Sequence, residues 1–256
     1  DRRLPWGLVA TTDFIYNRDL NAPVYINANL PAAQTTFTGA DKRPRWATAA
    51  APVAGVPTCV TTIGSENGPC AVRLNNARGN AITAAYVIKN QSNNRSWNYS
   101  ASLTKSMQNG FSMKSGFSYG VSKSVVEPSS TAGSSWGSAN PIDFDPNNPD
   151  LAYSQNSPGR RWFLQTTYTR QYFGFGATTL SMFYNANTNG NQSYTFSGDA
   201  NGDTVAGNDL IYIPRNTSEM NFSAFTAGGR TYTAAEQATA FEAYIAQDKY
   251  LSKHRG

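Results

Sequence analysis

The chain has 256 residues and a formal charge of +5, and only 14% of it is Asp, Glu, Lys or Arg. That charge density is far below the roughly 25% of ordinary soluble proteins, and it argues against a disordered polyampholyte. With 25 Asn and 21 Gly against 11 Leu, and with 14 Tyr, 13 Phe and 5 Trp, the composition favours turns and pleated strands over helices. No window of about 18 apolar residues exists, so no transmembrane helix is expected. An all-β protein remains, either in water or in an outer membrane. The chain opens on Asp1 without an apolar leader and closes on Lys253–Gly256 without a terminal strand, which reads as a mature or excised piece of something larger.

A first strand is expected over residues 6–17, followed by a long connection over 18–83. That connection carries Cys59 and Cys70. A metal site needs three or four ligands and no His lies nearby, so an oxidised loop staple is the better reading and free thiols the alternative. A disulfide here would imply an oxidising compartment. Further on, Ile82, Ala84, Tyr86 and Ile88 place apolar side chains on even positions, whereas Trp97, Tyr99, Ala101 and Leu103 place them on odd ones. One strand over 84–107 fits both runs only with an extra residue, a β-bulge near Asn90–Asn94. A turn at Asn90–Asn94 is the alternative.

Gln108-Asn109-Gly110 is a tight hairpin signal leading into a strand over 111–122. A long connection over 123–159 precedes a strand over 160–171, which returns across Tyr172–Gly176 into a strand over 177–190. The rest, 191–256, is a third long connection. Within it, Thr233-Ala234-Ala235-Glu236 reads as a capping box. Ala238, Phe241, Tyr244 and Ile245 follow at helical spacing, so a short helix is expected near 234–247. Packing on its own loops is the simplest role for it; covering a barrel mouth and binding a partner also fit.

The bulged strand is preferred because it makes connections alternate long and short. Short turns on one rim and long loops on the other are the pattern of an outer-membrane barrel. One strand face carries Trp, Tyr, Phe, Leu and Met; the other carries Ser, Thr, Asn, Gln, Gly and a few Lys. On the barrel reading the polar face, including Lys114, Gln165 and Thr167, lines the lumen. A soluble β-sandwich alternates too, but loops of this length are unusual in one. The expected fold class is all-β: an antiparallel meander forming part of a transmembrane outer-membrane β-barrel.

Two kinds of chemistry are open. Asp199-Ala200-Asn201-Gly202-Asp203, followed by Asp209, spaces oxygen donors as the start of a calcium loop does. It departs from that pattern at the sixth position, which is Thr204 rather than Gly, and at the twelfth, which is Leu210, with Asp209 one place early. An Asp/Asn/Gly turn cluster capped by its own side chains is the alternative. No other cofactor is suggested. Enzymatic function is not expected. The single His, His254, sits beside the chain end, and Asp143 and Asp145 lie in a Pro/Asn-rich loop. Apart from Lys42-Arg43-Pro44-Arg45 and the Lys253–Arg255 end, basic residues are scattered, so nucleic acid is not an expected partner.

Four segments carry a resemblance. Ser157-Pro158-Gly159-Arg160-Arg161-Trp162-Phe163 opens one strand, and Tyr172-Phe173-Gly174-Phe175-Gly176-Ala177-Thr178-Thr179 turns into the next. Gly207-Asn208-Asp209-Leu210-Ile211-Tyr212-Ile213-Pro214-Arg215-Asn216 and the closing Lys249–Gly256 follow. Together they resemble the C-terminal β-barrel of TonB-dependent outer-membrane receptors, specifically the Oar-like branch. The likeness covers about residues 1–30 and 81–256, and the Asn-Asp-Leu-Ile-Tyr-Ile-Pro run is its most specific piece. It implies a bacterial outer-membrane location and a large barrel plugged by an N-terminal domain. It also implies energised transport of a substrate, driven by a TonB complex. The plug and the TonB contact would lie outside these residues. Partners expected on this basis are outer-membrane lipid, lipopolysaccharide and an unknown substrate, peptide or glycan. A surface adhesion or structural β protein without transport is the alternative.

Overall fold

The computed structural model describes residues 1–33, 35–46, 84–172 and 174–256. The cysteine pair Cys59 and Cys70 lies outside the described residues. In chain order the strands are β1 (Arg2–Leu4), β2 (Leu8–Arg18), β3 (Ala22–Asn27), β4 (Thr35–Thr36), β5 (Pro44–Arg45), β6 (Tyr86–Gln91), β7 (Arg95–Gln108), β8 (Phe111–Ser124), β9 (Ala152–Tyr153), β10 (Gly159–Tyr172), β11 (Gly176–Asn187), β12 (Phe225–Ala227) and β13 (Arg230–Tyr232). The helices are α1 (Ala132–Trp136) and α2 (Ala234–Gln247). The chain is thus mostly antiparallel β-sheet. It divides into two compact units: Asp1–Pro23 with Asn90–Glu127 and Asp150–Gln192, and Val24–Lys89 with Pro128–Pro149 and Ser193–Gly256.

The first unit is one sheet in the order β1-β2-β7-β8-β10-β11, with β9 beside β8. Every pairing in it is antiparallel. The register aligns Thr12, Ala101, Phe117, Trp162 and Ala186 in one row across five strands. The next row down is Ala10, Leu103, Ser115, Leu164 and Tyr184. The row above is Phe14, Tyr99, Tyr119 and Arg160. Because side chains alternate faces with period two, these rows share one face. That face is apolar and uncovered: Leu180, Met182 and Trp162 are 72%, 53% and 42% exposed.

Aromatic rings are distributed along the apolar face. Phe14 stacks on Trp97 at 6.4 Å, and Trp97 meets Tyr119 edge-on at 5.2 Å. Phe111, Tyr168 and Tyr172 stand toward the other end; between lie Ala101, Leu103, Leu164, Met113 and Met182 together with Phe117, Trp162 and Tyr184, the last two in ring contact at 5.2 Å. The opposite face presents Ser100, Ser118, Arg161 and Asn187 in one row. Phe163 is an apolar exception on this face, as are Ile15 and Phe183. Phe163 fills the space over Gly116, where an added Cβ would stand 2.5 Å from its ring.

Two tight turns lie on one rim. Asn109 and Gly110 join β7 to β8 with φ of 51° and 77°, the left-handed pair that a short hairpin needs. Gly110 is required twice over, since a Cβ there would run into the carbonyl of Thr169. Gly174, φ 74°, serves the β10–β11 turn. The long connections from β2 to β7 and from β8 to β10, and the chain after β11, all leave from the other rim.

The single bulged strand expected over 84–107 is instead two strands, β6 and β7, separated at Ser92–Asn94. β6 pairs with β3, and only β7 joins the large sheet. Asn94 makes the break. Its buried side-chain Oδ1 accepts from Gln91 Nε2 at 2.8 Å and from Val125 N at 2.9 Å, while its carbonyl accepts from Asp19 N at 3.2 Å. These bonds fix a turn where a ladder would otherwise continue.

The second unit has a small core of Leu30, Trp46 and Trp136, with Tyr25 and Val205 packed against it. Both indoles also bond outward, Trp46 to the Pro31 carbonyl at 2.8 Å and Trp136 to Asn147 Oδ1 at 2.9 Å. Helix α2 carries the expected capping box between Thr233 and Glu236 and buries Ile245. Its Glu242 pairs with Arg255 at 2.6 Å.

Candidate functional site

The segment 199–209 folds into a knot of turns inside the second unit. Asp199 accepts from Gly202 N at 2.6 Å and from Thr204 N at 2.8 Å, one through each carboxylate oxygen. Asn201 Oδ1 accepts from Asp203 N at 2.8 Å, and Asp203 Oδ1 accepts from Val205 N at 2.7 Å. Asp209 Oδ2 reaches back to Ala200 N at 2.7 Å and Asn201 N at 3.2 Å. Short acidic and amide side chains bond their own backbone two or three residues on, which is why this composition folds locally.

The knot is tied to distant chain by backbone. Trp46 N donates to the Asn201 carbonyl at 2.7 Å, and Asp209 bridges Ile142 in parallel. Two arginines clamp it from outside: Arg45 Nε to the Ala200 carbonyl at 3.2 Å, and Arg43 Nη1 to the Leu210 carbonyl at 2.8 Å. Both guanidiniums lie over the Phe37 ring, at 5.1 and 5.5 Å from its centre. The carbonyl partners of Arg43 and Arg45 lie 167 and 155 residues along the chain, so no local signal revealed them.

Burial and crowding disturb all three carboxyls. Burial, then the charge of Asp199, pushes Asp203 up to about 7. Burial pushes Asp209 up to about 6, against the two N–H bonds it accepts. Asp199 is also raised by burial, while its own N–H bonds and Arg45 oppose the shift. Thr204, at the position a calcium loop gives to Gly, takes φ 81°. So the four residues expected as cation donors, Asp199, Asn201, Asp203 and Asp209, come together in space. Their oxygens turn mainly onto their own backbone. Among the described residues no three His, Cys, Asp or Glu side chains stand as a metal-ligand group.

The three residues expected to line a lumen lie on the polar face of the large sheet. Lys114 and Gln165 are register partners, and Thr167 pairs Ser112 and bonds Ser181 across the strands at 3.3 Å. The same face holds a hollow that the sequence did not disclose, lined by Asn98, Ser118, Arg161 and Asn185 among others. The period-two pattern marked these positions as polar, but only the cross-strand register brings them together.

No family model, curated protein or solved structure matches the chain.

Proposed function

We propose that this chain forms wall strands and outer loops of a TonB-dependent outer-membrane transporter of the Oar-like kind, without catalysis. The observation that carries the reading is the uncovered apolar face of the large sheet. It runs through five consecutive strands and carries aliphatic and aromatic side chains along its length. In water such a surface is a liability; against lipid it is the expected exterior of a barrel wall. The polar face then borders the lumen. Long connections on one rim and tight turns on the other supply further support. Substrate would meet the long-loop rim first.

Site-directed spin labels on the full-length gene product in outer membranes test this. Labels at Phe117, Leu164 and Met182 are expected to be relaxed by oxygen, which partitions into lipid. Labels at Lys114, Gln165 and Thr167 should respond to a water-soluble nickel chelate. Equal water access on both faces would remove the membrane reading and leave a surface adhesion or structural β protein. Uptake that requires the proton motive force separates transport from a passive wall.

A further inference from the structure

The polar face carries a hollow of about 650 Å³ toward the long-loop rim, lined by Asn98, Ser118, Pro158, Arg161, Asn185, Asn187 and Thr188. Glycines shape it. Gly120 has no side chain, and a Cβ there would meet Asn98 Oδ1 at 2.6 Å and Pro158 Cγ at 2.8 Å. Gly159, φ 61°, lets the chain pass Thr188 where a Cβ would stand 2.9 Å from it. Arg160 N and the Arg160 carbonyl then bond Thr188 Oγ1 and N, at 3.1 and 2.8 Å, which locks the rim.

A chain of hydrogen bonds orients the one cation in the lining. Arg161 Nε donates to Asn185 Oδ1 at 3.0 Å. Asn185 Nδ2 donates to Asn187 Oδ1 at 3.1 Å, and Asn187 Nδ2 to the Thr188 carbonyl at 3.3 Å. Each amide is thereby fixed in one orientation, and the guanidinium is held by its inner nitrogen with its outer fork unused by these contacts. No acid lines the hollow. The acid in register on this face, Asp13, lies three strands away, about 14 Å at ~4.8 Å per strand. A planar fork held this way matches a carboxylate. Around it stand amides that offer a donor and an acceptor together, as a peptide group needs. No aromatic side chain lines the hollow to stack on the C–H face of a sugar.

We infer that this hollow binds the C-terminal carboxylate of a short peptide, with Arg161 as the carboxylate anchor and Asn98 bonding the adjoining peptide group. The inference rests on the transporter reading for its place on a substrate route, but its chemistry is tested separately. The full-length protein in detergent is titrated with tetra-alanine, with tetra-alanine amide and with tri-galacturonate, followed by saturation-transfer NMR. Tetra-alanine is expected to bind roughly ten-fold more tightly than its amide, the step that one charge-assisted contact supports. Arg161→Gln should abolish that preference and Arg161→Lys should restore part of it, with unchanged melting. Equal affinity for acid and amide, an unaffected Arg161→Gln variant, absence of binding, or tighter binding of tri-galacturonate would each overturn the inference. Spin-label results on the apolar face stand apart from all four outcomes, so failure here and failure of the membrane reading are distinguishable.

Discussion

Asp203 concentrates the conflicts of the 199–209 knot. It is fully buried, beside two other carboxyls, and is pushed up to about 7 against an ordinary 3.8. The native loop therefore holds its proton more tightly than the unfolded chain does. Stability from that proton is fully present below about pH 4 and is lost as pH rises through about 6 to 7, as Asp209 and then Asp203 ionise. Amides of Gly202, Thr204 and Val205, corrected for intrinsic exchange, are expected to be better protected at pH 5 than at pH 8. Asp203→Asn should flatten that difference. The same exchange measurement decides the calcium expectation. Calcium-dependent protection in the parent and not in Asp203→Asn is what a cation site requires; identical protection leaves a self-capped turn. A second residue-scale expectation concerns Gly110. Gly110→Ala combines a positive φ with a collision at the Thr169 carbonyl, and should cost about 1–3 kcal/mol in denaturant unfolding of the full-length protein.

At the scale of elements, local rules were legible and distant partners were not. The alternation of Phe117 with Ser118 and of Leu164 with Gln165 announced their faces, because a strand's period is fixed by its own backbone. Helix α2 was equally legible, since Thr233 and Glu236 cap it within four residues of chain. Thr233→Ala is expected to remove about 1 kcal/mol of local stability, read as faster exchange over the first turn of α2. Glu236 is held below its usual range by the Thr233 N–H and hydroxyl, so this cap is present above the usual carboxylate range and lost as pH falls through Glu236's lowered value. The break between β6 and β7 was not legible. Asn94 looks like any turn asparagine, and what decides its conformation is Val125 and Asp19, far along the chain. Arg43 and Arg45 stayed hidden for the same reason: their carbonyl partners lie 167 and 155 residues away. The Arg161 hollow needed the register of four strands at once.

At the scale of the whole molecule, the large sheet has open edges. Among the described residues β11 pairs only with β10, and β1 is three residues long. Together with the uncovered apolar face, this makes self-association in water the expected behaviour of the isolated chain. Expressed alone, it should require detergent, and size-exclusion chromatography checks this: a monodisperse, detergent-free monomer would contradict the barrel-wall reading. About eight strands are needed before a barrel's interior can be filled by side chains. On the barrel-wall proposal, the sheet would therefore close only together with further strands.

The two compact turns at one rim also bear on how such a wall enters a bilayer. Asn109-Gly110 and the Gly174 turn are the smallest polar loads that hairpins β7–β8 and β10–β11 carry. The opposite ends carry segments of dozens of residues, among whose described residues Asn27, Asn29, Asn140, Asn201 and Asn208 are buried. If the sheet is a membrane wall, as proposed, threading is directional: the bulky ends stay on one side while the narrow ends advance or remain as the trailing tips. Enlarging the Asn109-Gly110 tip with a folded, charged insert should stall assembly if tips lead and leave it intact if they trail, as monitored by protease protection. On the barrel-wall proposal, a rim asymmetry that looks like architecture would also be a ratchet on topology, fixing which side of the membrane each loop could reach.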